Sequence, residues 1–192
     1  MGVLSASLNV MVNLTRIYTS VGDDGQTRLA DNSVVPKTDP RLALMGAIDE
    51  ATCAIGVALA LAPAPKVAQV LQAVQNELFD IGADVATPVS ARSHDDAVAE
   101  LEAWCDSFNT ELPPLRSFVL PGGCSLAAQL HVARAVTRRA ELTGWWANKG
   151  PTNIEPSTLR YLNRLSDLLF ILARHANASE GVAETLWKPH QG

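Results

Sequence analysis

The sequence is poor in aromatic residues, in cysteine and in charge. Aromatic residues make up 5% and charged residues 18% of the 192 residues, whereas hydrophobic residues reach 47%. Few aromatics with abundant alanine and leucine favour helices over a β-sandwich or a β-barrel. The formal net charge of −5 gives no basic surface of the kind that binds nucleic acid, so we expect no nucleic-acid partner.

Cys53, Cys105 and Cys124 are odd in number, far apart and without a C-x-x-C pair. This pattern argues against a zinc site or a disulfide framework and is typical of reduced, mostly buried thiols. No uninterrupted apolar run reaches the roughly 18 residues that span a bilayer. The first residues lack the cationic start and apolar core of a signal peptide. We therefore expect a cytoplasmic protein without membrane contact, with residues 1–14 as a disordered tail and 15–192 as one domain.

Prolines and apolar residues at spacings of three and four divide the chain into five predicted helices. Asp39 and Pro40 are a typical N-cap and first turn, and Ser93 to Asp96 resembles a capping box. The predicted helices cover residues 40–62, 65–85, a segment from the capping box to the prolines at 113 and 114, 125–146 with Ser125 as its cap, and 156–177. No segment alternates as a strand would. The sequence predicts an all-α fold, a five-helix bundle.

Residues 19–27 (TSVGDDGQT) hold two glycines and two aspartates and cannot form a packed helix or a core strand. Glycine allows the close backbone approach and positive φ angles that create an anion-binding concavity. Lys37, ten residues later, supplies a positive charge for phosphate oxygens. The segment predicts a phosphate-binding loop, although a polar turn has the same composition.

The fourth predicted helix carries His131, Arg134, Arg138 and Glu141 within an arc of roughly 80°. Arginines on successive turns suit polyphosphate or carboxylate recognition, because each guanidinium can donate two parallel hydrogen bonds. The alternative is a solvated charged face with weak local ion pairs.

The fifth predicted helix carries a similar polar side, formed by Arg160, Asn163, Arg164, Asp167 and Arg174. Asn and Asp lower helix propensity and would not be selected for stability in the middle of a helix. Their presence favours a polar site between helices, where bundles commonly bind ligands.

These segments resemble one family, the PduO-type ATP:cob(I)alamin adenosyltransferases. The matching pieces occur in family order from residue 15 to about 175: TRIYTSVGDDGQT (15–27), PK (36–37), GAIDE with AIG (46–50 and 54–56), FVLPGG (118–123), HVARAVTRRAE (131–141) and YLNRLSD (161–167). So many pieces in the same order are highly specific. The resemblance implies a five-helix bundle that forms a homotrimer with active sites between subunits.

The resemblance also implies roles for individual residues. ATP would be cradled by Lys37 and by the glycine loop, namely Thr19, Ser20, Val21, Gly22, Asp23, Gly25, Thr27 and Arg28. The nucleotide and Mg²⁺ site would be completed by Arg138, Arg139, Glu141 and Asn163. Arg134 would pair with Asp49 across the subunit interface, and Phe118 would lie against the corrin. The protein would supply no ligand to cobalt.

In the family that the chain resembles, the corrinoid is bound as four-coordinate Co(II), reduced to Co(I), and attacks the 5′ carbon of ATP. Adenosylcobalamin forms and triphosphate leaves. The resemblance implies that Phe118 excludes the lower axial ligand, and that Lys37 and Arg138 stabilise charge on the leaving group. It also suggests a reductase as electron donor and a cobalamin-dependent mutase as recipient of the product.

Two other interpretations remain open from the sequence. The chain could bind ATP or a corrinoid and deliver it without catalysis, in which case no triphosphate would form. It could also be a structural bundle whose polar stripes are solvated. A di-iron bundle is disfavoured by the absence of an E-x-x-H pair, and a P-loop ATPase by the absence of G-x-x-x-x-G-K-[ST].

Overall fold

The computed structural model describes residues 18, 20, 22–87, 91–150 and 153–189. Within them the chain forms β1 (Gln26–Arg28), β2 (Val34–Pro36), α1 (Pro40–Ala60), α2 (Pro65–Ala86), α3 (Asp95–Asn109), α4 (Ser125–Ala147) and α5 (Pro156–Ser179). The prediction of an all-α five-helix bundle is confirmed, and each helix lies within a few residues of its expected bounds. The predicted tail at residues 1–14 lies outside the described residues.

The helices pack in the spatial order α2, α1, α4, α5, α3, so that α4 lies at the centre between α1 and α5. Leucine and alanine fill the interfaces. Alanine and glycine are small, so they allow the helices to approach closely. Gly144 is the clearest case: a Cβ at this position would lie 2.5 Å from Leu159 Cδ2 on α5. The fully buried core includes Leu44, Ile55, Leu71, Leu78, Ile81, Leu101, Phe108, Leu130, Tyr161, Leu162 and Leu165.

Helix α1 is long and apolar enough to cross a membrane by length and composition alone. The expectation that no uninterrupted apolar run has this length still holds, since Asp49 and Glu50 divide the helix. Its buried residues, such as Leu44, Ile48 and Ile55, belong to the bundle core between α2 and α4. The composition of α1 is therefore that of a core helix.

Two predicted N-caps are wrong. Helix α3 begins one residue later than the capping box requires, because the His94 backbone N–H donates to Ser157 Oγ on α5 at 2.8 Å. Ser93 Oγ accepts from the Asp95 N–H at 3.3 Å and donates to Asp95 Oδ2 at 2.9 Å, without reaching the N–H of Asp96. Helix α4 is capped by Cys124, whose Sγ accepts from the Ala127 N–H at 3.4 Å, and not by Ser125. In both cases a contact with α5 fixes the chain before the helix begins.

A short antiparallel hairpin precedes α1 and was not predicted. Thr27 of β1 pairs with Val35 of β2, and the turn between the strands closes with Leu29 N–H donating to Ser33 O at 2.9 Å. Leu29 is the buried residue of this turn. Asp39 lies three residues after the end of β2. Its carboxylate accepts from the Arg41 backbone N–H at 2.9 Å and caps α1 as expected.

Candidate functional site

The hairpin brings Lys37 to the glycine loop. The Lys37 backbone N–H donates to Gly25 O at 2.8 Å, directly across the open end of the hairpin. A Cβ on Gly22 would lie 3.0 Å from Lys37 Nζ, so the amine packs against a position that only glycine leaves open. Gly25 has φ of +83°, which glycine adopts without strain. The loop therefore holds one ammonium group beside Gly22, while the Gly25 N–H donates to Gly22 O at 3.2 Å and shapes the turn.

The other predicted loop residues belong to the same segment. Ser20 is exposed with φ of +58°, Asp23 is exposed, and Thr27 is half-buried in β1. Arg28 is exposed and donates to Asn32 O at 2.9 Å, so its guanidinium is partly occupied within the hairpin. Thr19 and Val21 lie outside the described residues. Among the described residues, no hydrogen bond or ion pair joins the loop to the arginines of α4.

Glu141 on α4 and Asn163 on α5 form a polar cluster, as the sequence predicted. Asn163 Nδ2 lies 3.3 Å from both carboxylate oxygens of Glu141. The Trp145 indole N–H donates to Glu141 Oε1 at 3.3 Å from one turn further along α4. Arg139 forms an ion pair with Glu50 of α1, and both side chains are exposed. The cluster offers carboxylate oxygens and a guanidinium at the surface between α1, α4 and α5.

Arg134 and His131 lie deeper in the same stripe. His131 is buried, and neither of its ring nitrogens nor Arg134 Nε has a hydrogen-bond partner among the described residues. Burial lowers the pKa of His131, and the nearby Arg134 charge lowers it further. Burial also lowers the pKa of Arg134, with a further contribution from the Arg138 charge. Buried polar groups are normally paired. These orphaned atoms indicate that a ligand or another chain completes this part of the structure.

Arg134 and Arg138 line one cavity together. It measures about 320 Å³ and is bounded by Asn109, Leu115, Arg134, Arg138, Ser166, Asp167, Phe170, Ile171 and Arg174. Two cationic side chains on successive turns of α4 face one carboxylate there, that of Asp167, which is also engaged by Arg164 at 3.0 Å. The cavity is suited to an anionic group.

Phe118 stands at the edge of a larger neighbouring cavity. That cavity measures about 720 Å³ and is lined by Leu115, Arg116, Ser117, Phe118, Val119, Arg134, Phe170 and Trp187. The Phe118 side chain is 77% exposed, so it is not a core aromatic residue. Its ring meets the Trp187 ring edge-on, with 6.0 Å between centroids. The sequence predicted Phe118 but gave no sign of Trp187 or Phe170 beside it.

The chain after α5 pairs with the Phe118 segment, which sequence reasoning missed. Leu120 N–H donates to Thr185 O at 2.8 Å, and Trp187 N–H donates to Phe118 O at 2.7 Å. Between these bonds, Val119 and Leu186 form an antiparallel bridge. Alternation over so few residues is too short a signal to identify a strand.

The turn after Phe118 is held by Asn177 of α5. Asn177 Oδ1 accepts from the Cys124 N–H at 2.9 Å, and Nδ2 donates to Gly122 O at 3.2 Å. Gly123 has φ of +109°, and a Cβ there would lie 2.0 Å from Asn177 Oδ1. Both conditions require glycine at position 123, the second glycine of the FVLPGG motif.

Arg174 lines the 320 Å³ cavity together with Asp167, on the polar side of α5 that the sequence predicted, but it differs from the rest of that side in being buried. It is buried, with 4% of its surface exposed, and its Nε donates to Glu184 Oε1 at 2.8 Å. The sequence pattern gave no sign of this, because Glu184 follows the end of the helix. The other four residues of that side, Arg160, Asn163, Arg164 and Asp167, are exposed or half-buried.

Asp49 lies apart from Arg134 within one chain. It is exposed beside an apolar groove of about 310 Å³ between α1 and α2, formed by Met45, Ile48, Asp49, Thr52, Leu78, Phe79, Gly82, Ala83 and Ala86. Phe79 is 69% exposed in this groove. No ion pair between Asp49 and Arg134 forms within the described residues of a single chain.

No group of three or more His, Cys, Asp or Glu side chains with metal-binding geometry occurs in the described part of the chain. The Glu141 carboxylate and the Asn163 amide supply the hard oxygen ligands that Mg²⁺ prefers. Mg²⁺ keeps waters and commonly binds through one or two carboxylates together with substrate phosphates. This donor set fits a metal that arrives with a nucleotide.

Sequence comparisons with known proteins lead to a single family. The sequence model of the family described as cobalamin adenosyltransferase matches residues 17–176. A corrinoid adenosyltransferase of Mycobacterium bovis is 50% identical over 187 residues, covering 93% of this chain and 95% of the relative. The human corrinoid adenosyltransferase MMAB is 37% identical over 186 residues, covering 91% of this chain and 74% of the relative.

The solved structures agree as well. A variant PduO-type ATP:corrinoid adenosyltransferase from Lactobacillus reuteri, in complex with cobalamin and ATP, superposes with a TM-score of 0.85 at 35% identity. The match covers 90% of this chain and 97% of that one. Another variant from the same organism, in complex with ATP, gives a TM-score of 0.84, also at 35% identity, and the match covers 90% of this chain and 100% of that one. The chain belongs to the cobalamin adenosyltransferase family.

Proposed function

We propose that this protein transfers the 5′-deoxyadenosyl group of ATP to the Co(I) centre of a corrinoid. The Co(I) lone pair forms the cobalt–carbon bond at the 5′ carbon, and the bond from that carbon to the triphosphate oxygen breaks. The electron pair of the broken bond leaves with triphosphate, and cobalt becomes Co(III). The carrying observation is the 720 Å³ cavity, which is lined both by the exposed Phe118 and by the half-buried Arg134, whose Nε has no hydrogen-bond partner among the described residues.

The nucleotide is bound in this proposal by the glycine loop and by the polar ends of α4 and α5. Lys37 and the amides near Gly22 contact the phosphates, as the packing of Lys37 against Gly22 allows. Arg138 stabilises the charge that develops on the leaving triphosphate. Arg139 exchanges its exposed ion pair with Glu50 for a phosphate oxygen, which costs little because exposed pairs are weak.

Glu141 and Asn163 complete the nucleotide site in this proposal. Bound with ATP, Mg²⁺ would supply charge neutralisation on the phosphates. Glu141 would hold it, and Asn163 would orient the Glu141 carboxylate through the contacts at 3.3 Å. Of the remaining loop residues, Thr19, Ser20, Val21, Asp23, Gly25, Thr27 and Arg28 are proposed to shape the phosphate cradle.

Phe118 is proposed to control the coordination of cobalt. A bulky apolar ring beside the corrin plane occupies the space of the lower axial ligand. Loss of that ligand leaves Co(II) four-coordinate, which eases its reduction to Co(I). The ring can do this because most of its surface is open to the cavity.

We further propose that the active site is shared between subunits of a homotrimer. Arg134 Nε is buried without a partner, and Asp49 is exposed beside an apolar groove on the opposite side of α1. An ion pair between Asp49 of one subunit and Arg134 of the next would satisfy the guanidinium and cover the groove. Charge complementarity and the exposed Phe79 support this contact.

The reaction requires further partners. Because Co(II) must gain an electron, a reductase is needed, and a cobalamin-dependent mutase is a consumer of the product. We propose a cytoplasmic location and one domain over residues 15–192. Delivery of the product by this same protein is compatible with catalysis and would add to it.

The rival function is ATP or corrinoid binding without chemistry. Anaerobic mixing of the protein with Co(I) corrinoid and MgATP separates the two, with the absorption spectrum followed over time. We expect conversion of the Co(I) spectrum to that of alkyl-Co(III). Adenosine in place of ATP is the control, since it lacks a leaving group. A Co(I) spectrum that persists with MgATP would leave only the binding function.

A further inference from the structure

The segment that carries Phe118 is held to the bundle at its turn by Asn177 of α5. It follows the prolines at 113 and 114 and ends in the turn at Gly122 and Gly123. Its backbone bonds at Phe118 and Leu120 are made to the chain after α5, through Trp187 and Thr185. Ser117 Oγ adds a third bond, donated to Trp187 O at 3.0 Å. The position of Phe118 therefore depends on the position of this C-terminal strand, residues 185–187.

One buried guanidinium anchors the C-terminal strand to the bundle. Arg174 Nε donates to Glu184 Oε1 at 2.8 Å, and its terminal nitrogen donates to Glu184 Oε2 at 3.2 Å. The same terminal nitrogen donates to Pro113 O at 2.9 Å. Arg174 thus ties together α5, the C-terminal strand and the start of the Phe118 segment. A bidentate pair fixes orientation as well as distance.

We propose that Arg174 is a positioning residue for Phe118, acting through Glu184 and the C-terminal strand. This role of Arg174 rests on the proposed function, because it matters only if the Phe118 ring displaces the lower cobalt ligand. Arg174 lines the neighbouring 320 Å³ cavity with Arg134 and Arg138, and it is not among the residues that line the cavity of Phe118. Arg174 is linked to Phe118 through Glu184 and the C-terminal strand. These linking residues lie outside residues 17–176, the part of the chain that matches the family model.

The test compares Glu184→Gln with the unaltered protein. The amide keeps the shape of the side chain but loses the charge-assisted pair with Arg174. Hydrogen exchange of the backbone amides of Leu120 and Trp187 is measured first, without corrinoid. We expect both amides to exchange faster, because the bonds that protect them link the Phe118 segment to the strand.

The consequence for cobalt is measured on the same variant. We expect the rate from Co(II) plus reductant to fall about tenfold, the size of effect that outer-shell partners commonly have. The rate from pre-reduced Co(I) should fall much less, and electron paramagnetic resonance should show a smaller four-coordinate fraction of bound Co(II). The matched control is Arg92→Gln, which removes ion pairs with Asp80 and Asp84 at the opposite end of the bundle.

Ser117→Ala keeps the test decisive if Glu184→Gln does not fold. It removes a surface hydrogen bond to Trp187 O while the Arg174 pair stays intact, and the Co(II) rate should fall up to about fivefold. Unchanged amide exchange in a folded Glu184→Gln variant, or equal losses from Co(II) and Co(I), would overturn the proposal. Should Glu184→Gln fail to fold, an unchanged Co(II) rate in Ser117→Ala would overturn it as well. Failure of the unaltered protein to react with Co(I) would refute the proposed function instead.

Discussion

At the scale of single residues, the exposure of Phe118 is the most informative observation. The Phe118 side chain is 77% exposed, so most of its apolar surface contacts water. Contact with water is unfavourable for apolar surface, and a bound apolar ligand that covered the ring would remove this cost. Phe118 does not stabilise the core, so its substitution should cost less than about 0.5 kcal/mol of folding free energy. Stability and chemistry can therefore be separated at this position.

Phe118→Ala should leave ATP affinity unchanged and lower the rate of adenosylation from Co(II) by about 100-fold, as loss of a positioned group can. Pre-reduced Co(I) should recover much of that rate, because the ring acts before alkyl transfer. The two rates are measured beside the melting temperature. Equal losses from Co(II) and Co(I) would show that the ring has no special role in reduction.

Lys37→Ala should raise the dissociation constant for ATP about tenfold, the usual cost of one charge-assisted hydrogen bond. The affinity for adenosine should hardly change, since adenosine carries no phosphate. Calorimetric titration with both ligands tests this, with Lys66→Ala as the control on α2. If ATP and adenosine lose affinity alike, Lys37 does not contact phosphate.

Arg138→Ala should lower the rate of adenosyl transfer about 100- to 1,000-fold, as removal of a donor to developing negative charge does. The fold should remain, because Arg138 is exposed. Arg160→Ala is the matched control, since Arg160 is an exposed arginine paired with Asp95 on α3. A folded Arg138→Ala protein with normal activity would remove Arg138 from the site.

At the scale of elements, the start of α1 connects the glycine hairpin to the bundle. Asp39 caps the helix and its Oδ2 lies 2.8 Å from the Arg41 guanidinium. Hydrogen bonding to the Arg41 side chain lowers the pKa of Asp39 below its ordinary value. Its contribution to stability is therefore complete above the unfolded pKa of about 3.9 and is lost as pH falls through the folded value.

Asp39→Ala should lower the free energy of unfolding by about 1 kcal/mol, the usual cost of a lost N-cap. Asp39→Asn keeps the capping oxygen and should cost less, about 0.5 kcal/mol for the weakened pair. Urea unfolding at several pH values tests this. The difference between the unaltered protein and Asp39→Asn should shrink as pH falls through the lowered pKa of Asp39, and a constant difference would contradict the pairing.

The helices could be predicted because each is marked within its own sequence. Prolines at 40, 65 and 156 begin three of them, and apolar spacing identifies the buried faces. The caps at His94 and Cys124 could not be predicted, because each is fixed by a residue of α5, namely Ser157 and Asn177. Contacts between distant segments leave no periodicity in the sequence.

Some residues of the candidate site could likewise be predicted from the sequence, and others could not. The family resemblance implied that Glu141 and Asn163 share a site, and in the structure Asn163 Nδ2 lies 3.3 Å from both Glu141 carboxylate oxygens. The hairpin of the glycine loop was missed because each strand has three residues, too few for alternation to be recognised. Trp187 was missed because its link to Phe118 crosses about seventy residues of chain, as the separation of Ser117 from Trp187 shows.

At the scale of the whole molecule, a single chain leaves the proposed site incomplete. The Arg134 guanidinium has a buried nitrogen without a partner, and Asp49 faces an apolar groove elsewhere on the surface. Pairing this half-buried guanidinium with Asp49 of a second copy would give the nitrogen a partner, which supports the assembly that we propose. The trimer that we propose supplies this contact from a second copy of the chain.

Asp49→Arg should dissociate the trimer or reduce its activity at least about tenfold, because it places like charges opposite each other across the interface. Light scattering gives the mass and the Co(I) assay gives the activity. Glu100→Arg, an exposed reversal on α3, is the control and should change neither. A fully active monomer would exclude a site shared between subunits.

The central claim is that the ATP carbon at the 5′ position, and not a phosphorus atom, is attacked. The most direct test counts the products of a single turnover with Co(I) corrinoid and MgATP. We expect one intact triphosphate for each alkyl-Co(III) formed, in equal amounts throughout the time course. ADP with phosphate, or a change in the corrinoid spectrum without any triphosphate, would contradict adenosyl transfer.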